Sequence, residues 1–380
     1  MIYLDNAATG GKKPEGVIRA VENALRQHSA NPGRGGHKAS LAAGDILYKC
    51  RSRAAEFFGA EREEQVCFTG GCTAALNMAL KGVLSPGDGA VISHLEHNAV
   101  VRPLHALSKR GITVERAVPE REGDDGIIDA FRRAIRPNTR VIVCTHASNV
   151  TGQVMPVARL GELCKKHGLI LIVDAAQSAG VIPINMVNDG IHILCAAPHK
   201  GLLSPMGLGL LISRVELPNT VLEGGTGSIS LSPEQPDDLP ERVESGTVNL
   251  PAVAGLSAAF DILKHRDNRA VYNREIALIT AAWDSLSKNG RVRLYTPRPV
   301  LGKSVPLLSF NIEGLSSADT AARLDERGIA VRGGLHCAPL AHQYLGTEKT
   351  GTVRISTSYF NTPRDISALV SAVNTIAREK

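Results

Sequence analysis

No two cysteines of this chain stand three positions apart, so the CxxC spacing of a structural zinc site is absent. The seven cysteines, Cys50, Cys67, Cys72, Cys144, Cys164, Cys195 and Cys337, are odd in number and widely spaced. That fits free thiols in a reducing compartment and not a disulfide framework. No apolar run approaches the roughly 20 residues a membrane span requires; Leu169 to Val173 is among the longest. The opening Met-Ile-Tyr-Leu-Asp-Asn-Ala-Ala-Thr has no basic region followed by a long apolar one, so a cytoplasmic protein without a signal peptide is expected. GxGxxG and GxxxxGK[ST] are both missing, which removes the usual support for a dinucleotide-dependent dehydrogenase or a P-loop ATPase. Basic residues outnumber acidic ones by 43 to 37, a hint of an anionic ligand. They are scattered, so a nucleic-acid surface is not expected.

What is present is an ordinary globular composition, 43% hydrophobic and 21% charged. At 380 residues the length suits about two to three domains. Up to about residue 215, helical patterns (Gly16 to Arg26, Leu41 to Phe58, Thr73 to Lys81, Val100 to Lys109, Leu160 to His167) alternate with short apolar runs. These runs are Val66 to Thr69, Ala90 to Ser93, Ile112 to Val114, Val141 to Thr145, Leu169 to Val173 and Ile191 to Leu194. Runs apolar throughout suit strands buried on both faces of a parallel sheet, so an α/β doubly wound layer structure is predicted. Residues 217–251 are rich in Gly, Pro, Ser and acidic residues, with no sustained period. Helices over Val253 to Lys264, Tyr272 to Ser287, Ala318 to Arg327 and Ile366 to Ile376, with strands at Val305 to Ile312 and Thr352 to Ser356, then predict an α+β unit. The expected division is a large domain over 15–250 and a small C-terminal domain over 251–380, with 1–14 packing at their junction.

Three features carry chemistry. Leu169-Ile170-Leu171-Ile172-Val173-Asp174 puts a carboxylate at the end of a buried strand, where open α/β sheets place their ligands. Such an aspartate is either a turn residue or a group that holds a proton on a heterocyclic nitrogen. One strand further on, Ala197-Pro198-His199-Lys200-Gly201 offers a lysine that is either solvated or a Schiff-base nucleophile beside a partly buried cofactor. Thr69-Gly70-Gly71-Cys72-Thr73-Ala74 is a Gly-rich turn from strand to helix, suited to cradle an anion. Phosphate cradle, carboxylate and lysine together describe a pyridoxal phosphate site.

With these residues the chain resembles the class V aminotransferase fold, and within it the cysteine desulfurase and selenocysteine lyase branch. The resemblance runs from Tyr3-Leu4-Asp5-Asn6-Ala7-Ala8-Thr9 to Asn361-Thr362. Its blocks are Glu96-His97-Asn98-Ala99, Ser148-Asn149-Val150-Thr151-Gly152, Asp174-Ala175-Ala176-Gln177, His199-Lys200, Glu244-Ser245-Gly246-Thr247 and Arg332-Gly333-Gly334-Leu335-His336-Cys337-Ala338. It implies the PLP-dependent transferase fold, type I: a large domain with a mainly parallel sheet and a smaller α+β domain. It also implies pyridoxal 5'-phosphate joined to Lys200, with Asp174 on the pyridine nitrogen, Gln177 on the phenolic oxygen and His97 stacked on the ring. Cys72, Thr73 and His199 belong to the phosphate side. Thr247 resembles a residue given to the phosphate of a second subunit, hence a homodimer with shared sites. Asn149 and Arg354 match the pair that holds the substrate α-carboxylate.

Cys337 selects the reaction that the resemblance implies. It lies in a Gly-rich loop beside His336, with Arg332 near in sequence, and positive neighbours raise the thiolate fraction. Attack on the sulfur of bound L-cysteine gives L-alanine and a persulfide on Cys337, for delivery to an acceptor protein. Lys200, Cys337 and His97 are then the catalytic set. A selenocysteine lyase, or a class V transaminase or other lyase in which Cys337 is structural, is the alternative; a regulator or nucleic-acid binder on the same fold is a third. Two departures stand out. Ala197 and Pro198 stand where the family carries Ser and Gly, removing one phosphate donor, and Leu335 replaces the first His of His-His-Cys. Arg34 and His37, in Asn31 to His37, are expected as groups behind the active-site mouth.

Overall fold

Strands form here where consecutive apolar side chains have two interiors to enter. In Val141-Ile142-Val143-Cys144, Val141 and Val143 join one apolar cluster and Ile142 and Cys144 another, on the opposite face of the same strand. The computed structural model describes residues 1–32 and 35–379. Among them a seven-stranded sheet runs in the order Val66–Thr69, Gly209–Ser213, Ile193–Ala196, Ile170–Asp174, Thr139–Thr145, Gly89–Ser93, Thr113–Ala117. The last five in that order are parallel, and Gly209–Ser213 is antiparallel to both neighbours. Helices Cys72–Val83 and Asn98–Ser108 cover one face; Lys38–Phe58, Gly123–Ala134, Val157–His167 and Leu250–His265 cover the other.

Helix Leu250–His265, expected to open the C-terminal unit, packs instead on the large sheet's layer. It is buried on several sides, and Phe260 meets Phe57 at 5.2 Å between ring centroids. Its neighbour Asn268–Leu286 joins Ser317–Asp325 and Pro363–Arg378 over a second sheet, antiparallel, ordered Arg332–Gly334, Thr352–Ser356, Leu307–Ile312, Val292–Leu294. The first residues link the two layers. Ile2–Tyr3 pairs with Ile329–Ala330, Asp5 bridges Ser356, and the Gly10 N–H then donates to His199 O at 3.0 Å. Among the described residues no helix is long and apolar enough to cross a membrane.

Residues 217–249 hold no helix or strand. They are fixed to the sheet edge by a buried ion pair: Arg51 Nη1 and Nη2 donate to Glu244 Oε1 and Oε2 at 2.7 and 2.6 Å, and Oε1 also accepts from Phe68 N at 2.6 Å.

Candidate active site

The parallel strands end together, and the crevice at their C-terminal ends is where the sequence placed the chemistry. Asp174 closes its strand, in register with Thr145 on one side and Cys195 on the other, and is 3% exposed. Its Oδ1 accepts from Ala176 N at 2.9 Å and from the Cys72 thiol at 3.8 Å. Lys200 follows the next strand in a tight turn, its N–H donating to Ala197 O. Burial pushes its ammonium down from the ordinary lysine range, while Asp174 opposes that shift. A cleft of about 600 Å³, open to solvent, brings together Cys72, Thr73, His97, Asn149, Asp174, Gln177, His199 and Lys200.

At the far end of this cleft, helix Cys72–Val83 begins without a capping side chain, its N-cap Gly71 at φ 147°. The first N–H groups are left for an anion. The turn exists because strand Gly209–Ser213 passes directly beneath it: a Cβ on Gly209 would lie 2.3 Å from the Gly71 carbonyl carbon. His97 caps helix Asn98–Ser108, its Nδ1 accepting from Ala99 N at 3.0 Å, and burial pushes its imidazole down. Gln177 Nε2 donates to Ala7 O at 3.0 Å. His199 Nδ1 faces Thr9 Oγ1 at 3.0 Å; burial, with Lys200 and Lys13 nearby, lowers its pKa to about 4. An uncapped helix start, a buried carboxylate and a desolvated amine thus share one cavity.

Arg354 lies behind the Asn149 wall, 1% exposed. Nη1 donates to Asn149 O at 3.1 Å, Nη2 to Asp5 Oδ1 at 2.9 Å, and Nε is buried with no partner among the described residues. Asn149 Nδ2 in turn donates to His336 O at 2.7 Å, and Asn98 N to Cys337 O at 2.7 Å. These two bonds fasten the cysteine loop to the cleft rim, with Cys337 exposed and both His336 and Cys337 left-handed, at φ 48° and 57°.

One expectation about this loop is corrected. His336 does not supply positive charge to the thiol: it is 3% exposed, burial lowers its pKa to about 3, and Nε2 donates to Thr352 O at 2.9 Å. The cation beside the loop is Arg332, in register with Arg354. His37 points elsewhere, capping helix Lys38–Phe58 with Nδ1 on Ser40 N at 3.2 Å, and Arg34 lies outside the described residues. Thr247 is exposed and does not line the cleft.

Sequence reasoning missed three groups around the site. Asp5 holds Arg354, Lys13 Nζ donates to His199 O at 2.8 Å, and Glu96 is fully buried beside Thr145, whose N–H it accepts at 2.8 Å. Burial pushes Glu96 up to about 8. Asp5 and Glu96 stand inside quoted blocks, Tyr3 to Thr9 and Glu96 to Ala99, yet were given no role there; nothing local marks Lys13.

The profile of the family described as Aminotransferase class-V matches residues 2–369. The chain belongs to that family. Among curated class-V relatives, a probable cysteine desulfurase of Methanothermobacter thermautotrophicus is 33% identical, over 99% of this chain and 94% of its own. Among solved structures, the apo cysteine desulfurase of Thermococcus onnurineus NA1 superposes with a TM-score of 0.86 at 29% identity, covering 100% of this chain and 95% of that one. A cysteine desulfurase of Escherichia coli, in an S-sulfonic acid form, gives 0.85 at 29% identity over 99% and 94%. The largely parallel α/β architecture is that of fold type I, as the sequence led one to expect.

Proposed function

We propose that this class-V protein is a cysteine desulfurase, converting L-cysteine to L-alanine and leaving the sulfur on Cys337. The observation that carries the reading is the fastening of an exposed cysteine to the cleft rim, through Asn149 and Asn98, beside a cleft that holds Asp174 and Lys200. Pyridoxal 5'-phosphate is the cofactor these residues fit: the uncapped helix start for its phosphate, Asp174 for its ring nitrogen, and Lys200 for its aldehyde. Thr73, Cys72 and His199 would hold the phosphate side, with His97 and Gln177 at the ring. When bound, the cofactor supplies an aldehyde that captures amines and a ring that draws electrons from the substrate Cα.

The chain's own residues do the rest. Asp174 keeps a proton at the ring nitrogen. Asn149 and Arg354 take the α-carboxylate, which displaces Asp5 from the guanidinium. Lys200 Nζ, whose ammonium burial has weakened, moves a proton at Cα. Cys337 Sγ attacks the substrate sulfur: an S–S bond forms, the C–S bond breaks, and its electron pair stays on Cβ. A proton from the thiols ends on that carbon, so cysteine and Cys337 become alanine and persulfide with all atoms accounted for.

Two subunits sharing sites, with Thr247 reaching the partner's phosphate, complete the proposal. So do an acceptor protein for the sulfur, a cytoplasmic location in keeping with the free cysteines, and a small domain that begins after helix Leu250–His265. Borohydride reduction of the reconstituted protein followed by peptide mapping tests it. A cofactor adduct on Lys200, with alanine formed by the native chain and not by Cys337→Ala, is expected. No adduct at Lys200, or undiminished alanine from Cys337→Ala, contradicts it.

A further inference from the structure

Behind Lys200 lies a second, narrow cavity of about 60 Å³, room for a molecule of only a few heavy atoms, which shares Lys200 and Gln177 as walls with the cleft. Glu275, from helix Asn268–Leu286, lines it and is only 7% exposed. Among the described residues no donor reaches its carboxyl group. Thr357 Oγ1 bonds the Glu275 backbone carbonyl, and the nearby Arg274 gives Nη2 to Asn361 O at 2.8 Å. Burial pushes Glu275 up to about 8, because a buried carboxylate without donors is costly.

Arg266 lines the same chamber. Its Nε donates to Asn268 Oδ1 at 2.9 Å, and its Cζ sits 5.4 Å from the Tyr359 ring centroid. Its terminal nitrogens take no protein acceptor among the described residues. Arg266 and Glu275 attract one another without closing to an ion pair. An occupant that pairs with both carries a cation and an anion and is small. The exposed Lys12 also lines the chamber and adds a second positive charge to it.

We propose that this chamber is a second, non-catalytic site for a small free α-amino acid, with its ammonium on Glu275 and its carboxylate on Arg266. Because Lys200 and Gln177 are common walls, occupancy there changes the surroundings of the catalytic amine.

Equilibrium dialysis of the holoenzyme with radiolabelled glycine tests this, with the cofactor absorbance recorded in parallel as the readout of catalytic-site occupancy. The native chain should retain a second equivalent of glycine beyond the one that shifts the absorbance. Glu275→Gln and, separately, the half-buried Arg266→Gln should weaken that second equivalent about tenfold or more and keep the absorbance response. A single equivalent in the native chain, a second equivalent unchanged in both variants, or methylammonium displacing it as well as glycine would overturn the proposal. Failure of L-cysteine to give alanine would refute the catalytic reading and leave this count standing.

Discussion

Cys337 and His336 are successive non-glycine residues in the left-handed region, a conformation costing on the order of 1–2 kcal/mol each. Bonds to both carbonyls offset that cost and leave the thiol at the surface. Cys337→Gly should therefore match or exceed the native thermal stability, by about 1 kcal/mol at most, while abolishing alanine formation. A clear loss of melting temperature would show the loop to be unstrained. Arg354→Lys should raise KM for cysteine by about tenfold or more, since an ammonium cannot replace a two-pronged donor; steady-state kinetics decide. Asp174 and Lys200 were legible because apolar runs mark where buried strands end. The Asp5–Arg354 pair was not, as 349 positions separate its members. His336 was misread because adjacency to a thiol in sequence carries no information about burial.

Among the elements, the irregular stretch 217–249 is held where it is by the Arg51–Glu244 pair, whose side chains are 11% and 7% exposed. Removing one member strands the other in a dry setting, so Glu244→Ala should lower the unfolding free energy by about 3 kcal/mol in denaturant titration. Gly209→Ala should disturb the anion turn above it: cofactor affinity, read by absorbance titration, should fall about tenfold or more, because the added carbon meets the Gly71 backbone. The parallel strands were readable as β-branched runs between helices. Strand Gly209–Ser213 was not, since a Gly-rich approach hides its start and antiparallel addition leaves no crossover helix as a cue. Helix Gly123–Ala134, opening on Gly-Asp-Asp, was likewise missed, and helix Leu250–His265 was assigned to the wrong layer because periodicity shows what is buried and not against what.

For the molecule as a whole, buried ionisable groups set an opposed pH response. His94, His146, His199 and His336 are pushed down to about 4, about 4, about 4 and about 3 from 6.5. The unfolded chain therefore binds more protons below pH 6.5, and these groups destabilise the fold as pH falls through that range. Glu96 and Glu275, pushed up to about 8 from 4.5, keep protons that the unfolded chain loses, and so destabilise the fold as pH rises from 4.5 to 8. Because lowered histidines outnumber raised glutamates, stability of the cofactor-free chain should peak at about pH 6.5–7 and fall as the solution is acidified toward 4.5. Urea midpoints that hold level or climb as pH falls from 6.5 to 4.5 would contradict this.

The central claim is that sulfur leaves cysteine and lands on Cys337. Its most direct measurement is the intact mass of the holoenzyme after brief exposure to L-cysteine without reductant, with free alanine counted in the same sample. A gain of one sulfur atom located on Cys337, matched by an equal amount of alanine, is the predicted result; alanine released with no sulfur on that residue would contradict it.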